Sequence, residues 1–565
     1  MVEENAMRLT GARILMECLR AEGVEVFFGY PGGVVLPLYN TLGEYPDIKH
    51  VLVRHEQAAA HAADGYARVA GRTGVCLATS GPGATNLVTG ITTAYMDSVP
   101  MVVLTGNVAR DLIGRDGFQE ADITGITLPI TKHNYLLMRA SEIAPAVKEA
   151  FHIASTGRKG PVLVDIPKDV FIEEAEWDGY PQGVSLRGYP IMDVPREEEV
   201  ARAAETINAA KRPIVIAGHG VVQSEAQHEL VEFAERSDTP VLTTLLGISG
   251  MPEDHELSYG FLGMHGHFYA NMAADRADVV IGIGMRFDDR AMGRFSDFNP
   301  TAKIVHIDID PAEIGKNFKT HAPVNGDVKE TLSRLLPQID RNSHPEWRSE
   351  IDEIMAQHPT DYIEEGTGLG GPWLVRALAE ATNGEATIVT GVGQHQMWGA
   401  QYYPYTKARQ WVTSGGLGTM GYEVPAAMGA QFAQREPIWS ICGDGGFQMT
   451  SQELQTVAEH NLPVRFAIFN NGFLGMVRQW QELFYANNYH SVDLGQPDFV
   501  KLAEAYGIRG VRATTRAEAM QVFRDLEGYD GPVVIDFQLE REENVWPMVP
   551  AGAALSETIE SAEDL

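Results

Sequence analysis

Short unbroken apolar runs recur along the whole chain, each bounded by glycine or proline and each followed by a stretch with helical spacing. In the first third they are VEVFFGYPGG, VCLATSGPGATN, MVVLTGN and GPVLVDIPKDV. The middle repeats the pattern with RPIVIAGHG, DVVIGIGMRF and KIVHIDIDP, and the last third with ATIVTGVG, PIWSICGDGG, VRFAIFNNG and GPVVIDFQ. A strand of a parallel sheet reads this way because helices cover both of its faces. Strand–helix alternation therefore predicts an α/β fold with doubly wound parallel sheets. Two breaks interrupt the pattern. WDGYPQGVSLRGYPIMDVP (Trp177 to Pro195) reads as a linker, and a softer boundary runs from Asn342 to Gly371 through HPEW and EEGTGLGGP. The expected organisation is three doubly wound domains at 1–180, 196–340 and 370–546. A tail at 547–565 follows, whose acidic ALSETIESAEDL is expected to be mobile or helical.

Length agrees with that count, since 565 residues at about 100–200 per domain make about three. Charge narrows the partners. The chain has 44 Lys plus Arg against 76 Asp plus Glu, a formal net charge of −32, which argues against a phosphate-backbone or anionic-membrane partner. Cys18, Cys76 and Cys442 lie far apart without metal-ligand spacing, as in a reduced cytosolic protein. The first twenty residues lack a basic segment leading into an apolar core, and no run of about 18 apolar residues offers a bilayer span. A cytoplasmic protein is expected.

The chemistry concentrates in the last third. Gly443-Asp444-Gly445 follows one apolar run and Asn470-Asn471 follows the next; Asn471 lies 27 residues beyond Asp444 (471 − 444), room for one crossover. Both then sit at carboxyl ends of parallel strands, where open α/β sheets bind ligands. Carboxylate and amide oxygens are hard donors suited to Mg²⁺, which takes few protein ligands and completes its shell with phosphate oxygens. The glycines allow close backbone approach to a diphosphate, and a helix starting after GDGGF adds its positive end. GDG alone fits an ordinary strand-to-helix turn; the paired Asn-Asn after one crossover favours a cofactor site.

This pair is the motif of thiamine-diphosphate enzymes, and further motifs extend the resemblance over nearly the whole chain. They are Arg54-His55-Glu56-Gln57 with AAAHAADGYAR, SGPGATN, FQEAD, LGMHG, RFDDR, TGVGQHQMW, SGGLGTMGYEVPAA, GMVRQWQELF and ENVWPMVP. In that order they resemble the catalytic subunit family of acetohydroxyacid synthase (acetolactate synthase). The resemblance implies a pyrimidine-binding first domain, an FAD-binding central domain and a diphosphate- and Mg²⁺-binding third domain. It implies decarboxylation of pyruvate and condensation of the hydroxyethyl unit with pyruvate or 2-ketobutyrate, in branched-chain amino-acid synthesis. Glu56 matches the glutamate that bonds the cofactor's aminopyrimidine. Asp444, Asn471 and the carbonyl of Phe473 match the Mg²⁺ ligands. Val392, Gly393, Gln394, His395, Gly418, Gly443, Gly445 and Gly446 match the cofactor seat, and Met420 the residue that bends the cofactor. Gln119 and Lys168 match residues of the substrate approach, and Trp480 the residue that favours 2-ketobutyrate as acceptor. Phe118, Met264, Met476 and Val477 join Trp480 in the channel taken by sulfonylurea-type inhibitors. Arg158, His265, Arg286, Arg290, Asp308 and Asp327 match the flavin environment. The net reaction is not a redox reaction, so FAD is implied by the resemblance alone. A homodimer or homotetramer, with Glu56 of one chain facing the third domain of another, and a separate small regulatory subunit complete the expectation.

Two positions depart from the family pattern. Glu423-Val424 stand where Gly-Leu is usual, which bears on packing, rate and acceptor preference; Gly446 stands where a hydroxyl residue is common, removing one phosphate contact. Three other readings compete. A pyruvate-oxidase-like flavoenzyme is opposed by RFDDR and GMVRQW, and a glyoxylate carboligase by the presence of Glu56. A non-catalytic nucleotide-binding protein shares the fold, but Glu56, Asp444 and Asn471 are all intact.

Overall fold

A computed structural model describes residues 7–360, 366 and 368–564. Part of the soft boundary read at Asn342 to Gly371 (361–365 and 367), like the first six residues, lies outside them. The apolar runs form three six-stranded sheets, all parallel. The N-terminal sheet runs, in spatial order, Lys49–Leu52, Val26–Gly29, Gly74–Ala78, Met101–Asn107, Pro161–Pro167 and His133–Leu136. The central sheet runs Ser258–Phe261, Val241–Thr243, Pro213–Ala217, Val279–Ile283, Lys303–Asp308 and Ala322–Asn325. The C-terminal sheet runs Trp411–Thr413, Ile388–Thr390, Trp439–Gly443, Arg465–Asn470, Val533–Gln538 and Arg509–Ala513. Central strands such as Met101–Asn107 and Trp439–Gly443 are buried along their whole length, which is why their sequences do not alternate. Strands Met7–Thr10 and Glu174–Trp177 pair antiparallel, tying the start of the chain to the linker.

The strand order places a crevice in each sheet. From Ile388–Thr390 the chain moves outward to Trp411–Thr413, then returns to the other side as Trp439–Gly443. That reversal is the topological switch point at which doubly wound sheets take ligands. The equivalent points lie between Val26–Gly29 and Gly74–Ala78, and between Pro213–Ala217 and Val279–Ile283.

Helix Glu56–Ala70 crosses helix Glu423–Gln431, joining the first and third sheets. The crossing needs glycine on both sides. A Cβ on Gly65 would lie 2.1 Å from the Ala426 carbonyl oxygen, and one on Gly429 1.9 Å from that of Ala62. A buried network seals it: Arg68 pairs with Asp64 (2.6 Å) and Asp97 (2.7 Å), and the Tyr422 hydroxyl donates to Asp64 at 2.5 Å. Asp97 also accepts from the backbone amides of Gly415 and Gly416. Breaking one partner of such a buried pair costs about 3–5 kcal/mol, because the other charge is left uncompensated.

The acidic tail is helical in part. It forms two single 3₁₀ turns, Leu555–Glu557 and Ala562–Asp564, and is held by specific contacts. Met548 and Ile559 form an antiparallel bridge, Leu555 is buried, and Asn271 donates to the Thr558 hydroxyl at 3.1 Å. Isolated apolar residues rather than a periodic face anchor it, and its helical structure is confined to these two turns. Among the described residues, no helix is long and apolar enough to cross a membrane.

Candidate active site

At the carboxyl edge of the C-terminal sheet, strand Ile388–Thr390 leads through Gly391, Val392 and Gly393 into helix Gln394–Tyr402. Gly393 has φ +149°, a conformation that L side chains rarely adopt. The next strand, Trp439–Gly443, runs straight into helix Asp444–Thr450. The helix therefore begins at Asp444 itself rather than after GDGGF. Extended backbone at Gly443 ends the strand and turns the Asp444 carboxylate back onto the Gly445 amide (2.8 Å).

Asp444 is buried and also accepts from the Gly472 amide (2.7 Å) and the Gln496 side chain (2.8 Å). Burial lifts its pKa to about 6 against these bonds. Asn471 follows strand Arg465–Asn470; its amide donates to Gln394 Oε1 (3.1 Å), and its own oxygen accepts from the Phe473 amide (3.1 Å). Asp444, Asn471 and Phe473 are thus drawn into one cluster through the Asn471–Gly472–Phe473 turn. Among the described residues, no three His, Cys, Asp or Glu side chains converge as a self-sufficient metal cage. A lone carboxylate with amide and carbonyl oxygens suits a cation that shares its shell with phosphate.

His395 is buried with Nε2 lacking a partner, and burial pushes its pKa down to about 3, so the ring is neutral. A Cβ on Gly443 would lie 2.7 Å from its Cε1, and a Cβ on Gly445 would lie 2.9 Å from Leu474 Cδ2. Glycine at 443 and 445 lets the His395 ring and Leu474 close onto the backbone of this turn, and the orphaned ring nitrogen is left without a partner from the chain. That arrangement fits a diphosphate and its cation. The departure at Glu423 lies under this seat, with its carboxyl against Gly391 and Gly446.

Beside the seat opens a cavity of about 1230 Å³, larger than the roughly 300–1,000 Å³ of ordinary small-ligand pockets. Val392, Gly393, Gly418, Met420, Met476, Val477 and Trp480 line its C-terminal side. Gly418 has φ +71° and Trp480 Nε1 is buried without a partner. Arg158, Met264, His265, Arg286, Arg290, Asp308 and Asp327 line the remainder. Arg158 is held by Asp310 (3.0 Å) and Glu313 (2.6 Å). Burial lowers the His265 pKa to about 4 and raises that of Asp308 to about 7. Asp327 also caps helix Val328–Leu335 through the Glu330 amide (3.1 Å), a structural task its sequence position did not announce. Gln394, His395, Asp444, Gly446 and Asn471 adjoin this cavity without lining it.

A second group sits on the carboxyl edge of the N-terminal sheet. Glu56 begins helix Glu56–Ala70 and accepts from Asn86 at 3.0 Å. Gln119, at φ +58°, packs on Gly81, where a Cβ would meet its Cα at 2.9 Å. Thr79 Oγ1 and Ser80 Oγ are buried there without partners. Lys168 is exposed at the start of helix Lys168–Ile172, and Phe118 is 89% exposed. None of Glu56, Phe118, Gln119 and Lys168 lines the cavity. The residues singled out from the sequence thus lie on two different sheets, Glu56, Gln119 and Lys168 on the N-terminal one and the Asp444 cluster on the C-terminal one.

Sequence reasoning missed Glu453, buried and accepting from the Arg54 amide at 2.9 Å, and the Gly415–Leu417 stretch of the cavity wall. Glu453 is the first Glu after the GDG run; its contact with a residue 399 positions away in the chain left no signal in the spacing.

Comparison with known proteins adds identity to this geometry. Three family descriptions match in order. They are the N-terminal TPP binding domain of thiamine pyrophosphate enzymes over residues 9–126, the central domain over 200–335, and the C-terminal TPP binding domain over 391–537. The acetolactate synthase large subunit of Mycobacterium tuberculosis is 48% identical over 564 residues, covering 97% of this chain and 91% of that protein. That of Corynebacterium glutamicum is 48% identical over 566 residues (97% and 90%), and that of Lactococcus lactis 43% over 557 residues (97% and 96%).

Proposed function

Since the chain belongs to the acetolactate synthase large-subunit family of thiamine pyrophosphate enzymes, we propose how its own residues carry that family's reaction. It is a thiamine-diphosphate-dependent enzyme that condenses pyruvate to acetolactate in branched-chain amino-acid biosynthesis. Bound thiamine diphosphate supplies the carbanion and the electron sink; the protein supplies orientation and electrostatics. Asp444, Asn471 and the Phe473 carbonyl hold Mg²⁺, while Val392, Gly393, Gln394, His395, Gly443, Gly445 and Gly446 seat the diphosphate. Gly418 would adjoin the cofactor, and Met420 would press against it to bring its two rings together. The Glu56 carboxyl exchanges a proton with the aminopyrimidine ring nitrogen.

Glu56, Gln119 and Lys168 sit on the N-terminal sheet and the Asp444 cluster on the C-terminal one; in the site proposed here, as in the family the chain belongs to, the first group comes from one chain and the second from another. Exposed apolar side chains near that edge, Phe118, Ile126 and Leu128, support burial against a second copy. A homodimer, or a tetramer built from dimers, follows. Trp480, Met476 and Val477 form the apolar acceptor wall that admits 2-ketobutyrate beside pyruvate. FAD occupies the remainder of the cavity between Arg158, His265, Arg286, Arg290, Asp308 and Asp327, a reading supported by the cavity's size and by its charged and polar wall. A separate small regulatory subunit is supported by relatives named as large subunits. Three buried, unpaired cysteines support a reducing, cytoplasmic setting.

The observation that carries this reading is the Asp444–Asn471–Phe473 cluster at the switch point, beside a cavity large enough for a dinucleotide. The test is product analysis with thiamine diphosphate, Mg²⁺ and FAD. Pyruvate alone gives CO₂ and acetolactate, and added 2-ketobutyrate gives 2-aceto-2-hydroxybutyrate. Acetyl phosphate or acetate as the product overturns the reading.

A further inference from the structure

Glu423 is the first residue of helix Glu423–Gln431, is 0% exposed, and neither of its carboxyl oxygens has a hydrogen-bond partner. A buried carboxylate without a donor or a cation is costly, and a partnerless apolar residue of that size would pack there without the cost. Burial accordingly lifts its pKa to about 7; the nearby backbone amides of Gly421 and Glu423 itself oppose this only in part, neither being in hydrogen-bond geometry with the carboxyl. A neutral acid keeps one O–H, which needs an acceptor.

Its surroundings say where that acceptor lies. A Cβ on Gly391 would stand 2.4 Å from the Glu423 Cδ, and a Cβ on Gly446 2.2 Å from its Oε1. The carboxyl therefore fills a notch that exists because both positions are glycine. Gly391 opens the loop that continues as Val392–His395, and Gly446 follows Gly443–Gly445. These two segments frame the cofactor seat, and the carboxyl stands between them. An anionic diphosphate is rich in acceptors and poor in donors, so it complements a buried O–H and repels a carboxylate.

We propose that Glu423 is a cofactor-binding residue, donating its carboxyl O–H to an oxygen of the bound diphosphate. The assignment rests on the placement of thiamine diphosphate proposed above. It adds to the seat a donor from beneath, in place of any side chain at position 446.

The test uses the full-length protein freed of cofactor, with thiamine diphosphate and Mg²⁺ titrated calorimetrically and inorganic pyrophosphate as competitor. Glu423→Gln keeps a neutral donor and binds within about threefold of the wild type. Glu423→Met fills the notch without a donor; it binds at least tenfold more weakly, and pyrophosphate weakens in parallel. A methionine variant that binds like the wild type overturns the proposal, leaving Glu423 a space-filler. A glutamine variant that binds tenfold tighter also overturns it, because the native carboxyl is then charged and repulsive. Should the methionine variant fail to fold, difference infrared spectroscopy of cofactor binding decides. The proposal requires a carboxylic-acid carbonyl band that moves on binding in the wild type and is missing in Glu423→Gln; no such band overturns it. An Asp444→Ala control separates the two readings. If it binds normally, the seat itself is misplaced and this assignment falls with it; if it fails to bind while Glu423→Met binds normally, this assignment alone falls.

Discussion

Replacing Asp444 by asparagine changes one charge in the seat while keeping the side chain's shape. The carboxylate accepts from Gly445, Gly472 and Gln496 at 2.7–2.8 Å. An asparagine whose oxygen occupies the Oδ2 position keeps the Gly472 and Gln496 bonds and loses that to Gly445. One lost hydrogen bond costs about 1 kcal/mol, so the cofactor-free protein is only slightly weakened. The metal loses its one anionic protein ligand. Losing an outer-shell partner already costs about 10–100-fold in metal affinity, so a direct ligand is worth at least about 100-fold. With cofactor at about 100 times the wild-type Kd, binding stabilises the wild type by about 2.7 kcal/mol; raising Kd about 100-fold leaves about 0.4 kcal/mol. The assay is the unfolding midpoint with and without thiamine diphosphate and Mg²⁺, paired with a calorimetric Kd. Asp444→Asn should retain most of its cofactor-free stability and lose nearly all of the cofactor-induced shift. A variant with wild-type Kd and wild-type shift would refute the metal assignment.

Trp480→Leu should turn the product ratio towards acetolactate when pyruvate and 2-ketobutyrate compete, by about 10–200-fold for about 1–3 kcal/mol of apolar contact; an unaltered ratio puts acceptor choice elsewhere in the cavity. Glu423 has its folded pKa raised from 4.5 to about 7, so the folded state binds more protons than the unfolded one in that window. Its contribution is full below about pH 4.5 and is lost as pH rises through about 7, by up to about 3 kcal/mol at about 1.4 kcal/mol per unit. Urea midpoints of the cofactor-free Glu423→Gln protein should lack that decline, and an identical profile would show that Glu423 does not titrate there. Gly429→Ala brings a Cβ to 1.9 Å from the Ala62 carbonyl oxygen. Parting two packed helices costs about 3 kcal/mol, the upper range for overpacking, and an unchanged urea midpoint would contradict the crossing.

The buried strands were legible because helices on both faces leave only apolar residues between glycine and proline. Asp444 and Asn471 were legible because one crossover separates consecutive parallel strands, a local constraint on spacing. What stayed hidden depends on residues distant in the chain. The Gly65–Gly429 crossing, the hold of Glu453 on the Arg54 amide and the Arg68–Asp97 pair leave no periodic trace. Glu423 was visible as a departure, yet its burial could not be read without Gly391 and Gly446 beside it. The anchoring of the tail was not legible because a few isolated apolar residues, Leu555 and Ile559 among them, do not form a stripe.

The site shared between two chains is the central claim, and a mixing experiment tests it directly. Glu56→Gln keeps its shape but loses its proton exchange, and Asp444→Ala loses the metal; each homo-oligomer should be nearly inactive. Co-expressed with two different affinity tags and purified through both, the mixed oligomers contain one site built from the intact Glu56 of one chain and the intact Asp444 of the other. The account predicts acetolactate formation at up to about half the wild-type rate per mixed dimer, one of its two sites being intact. Mixed oligomers as inactive as the parents would show that each chain completes its site alone, and would contradict the account.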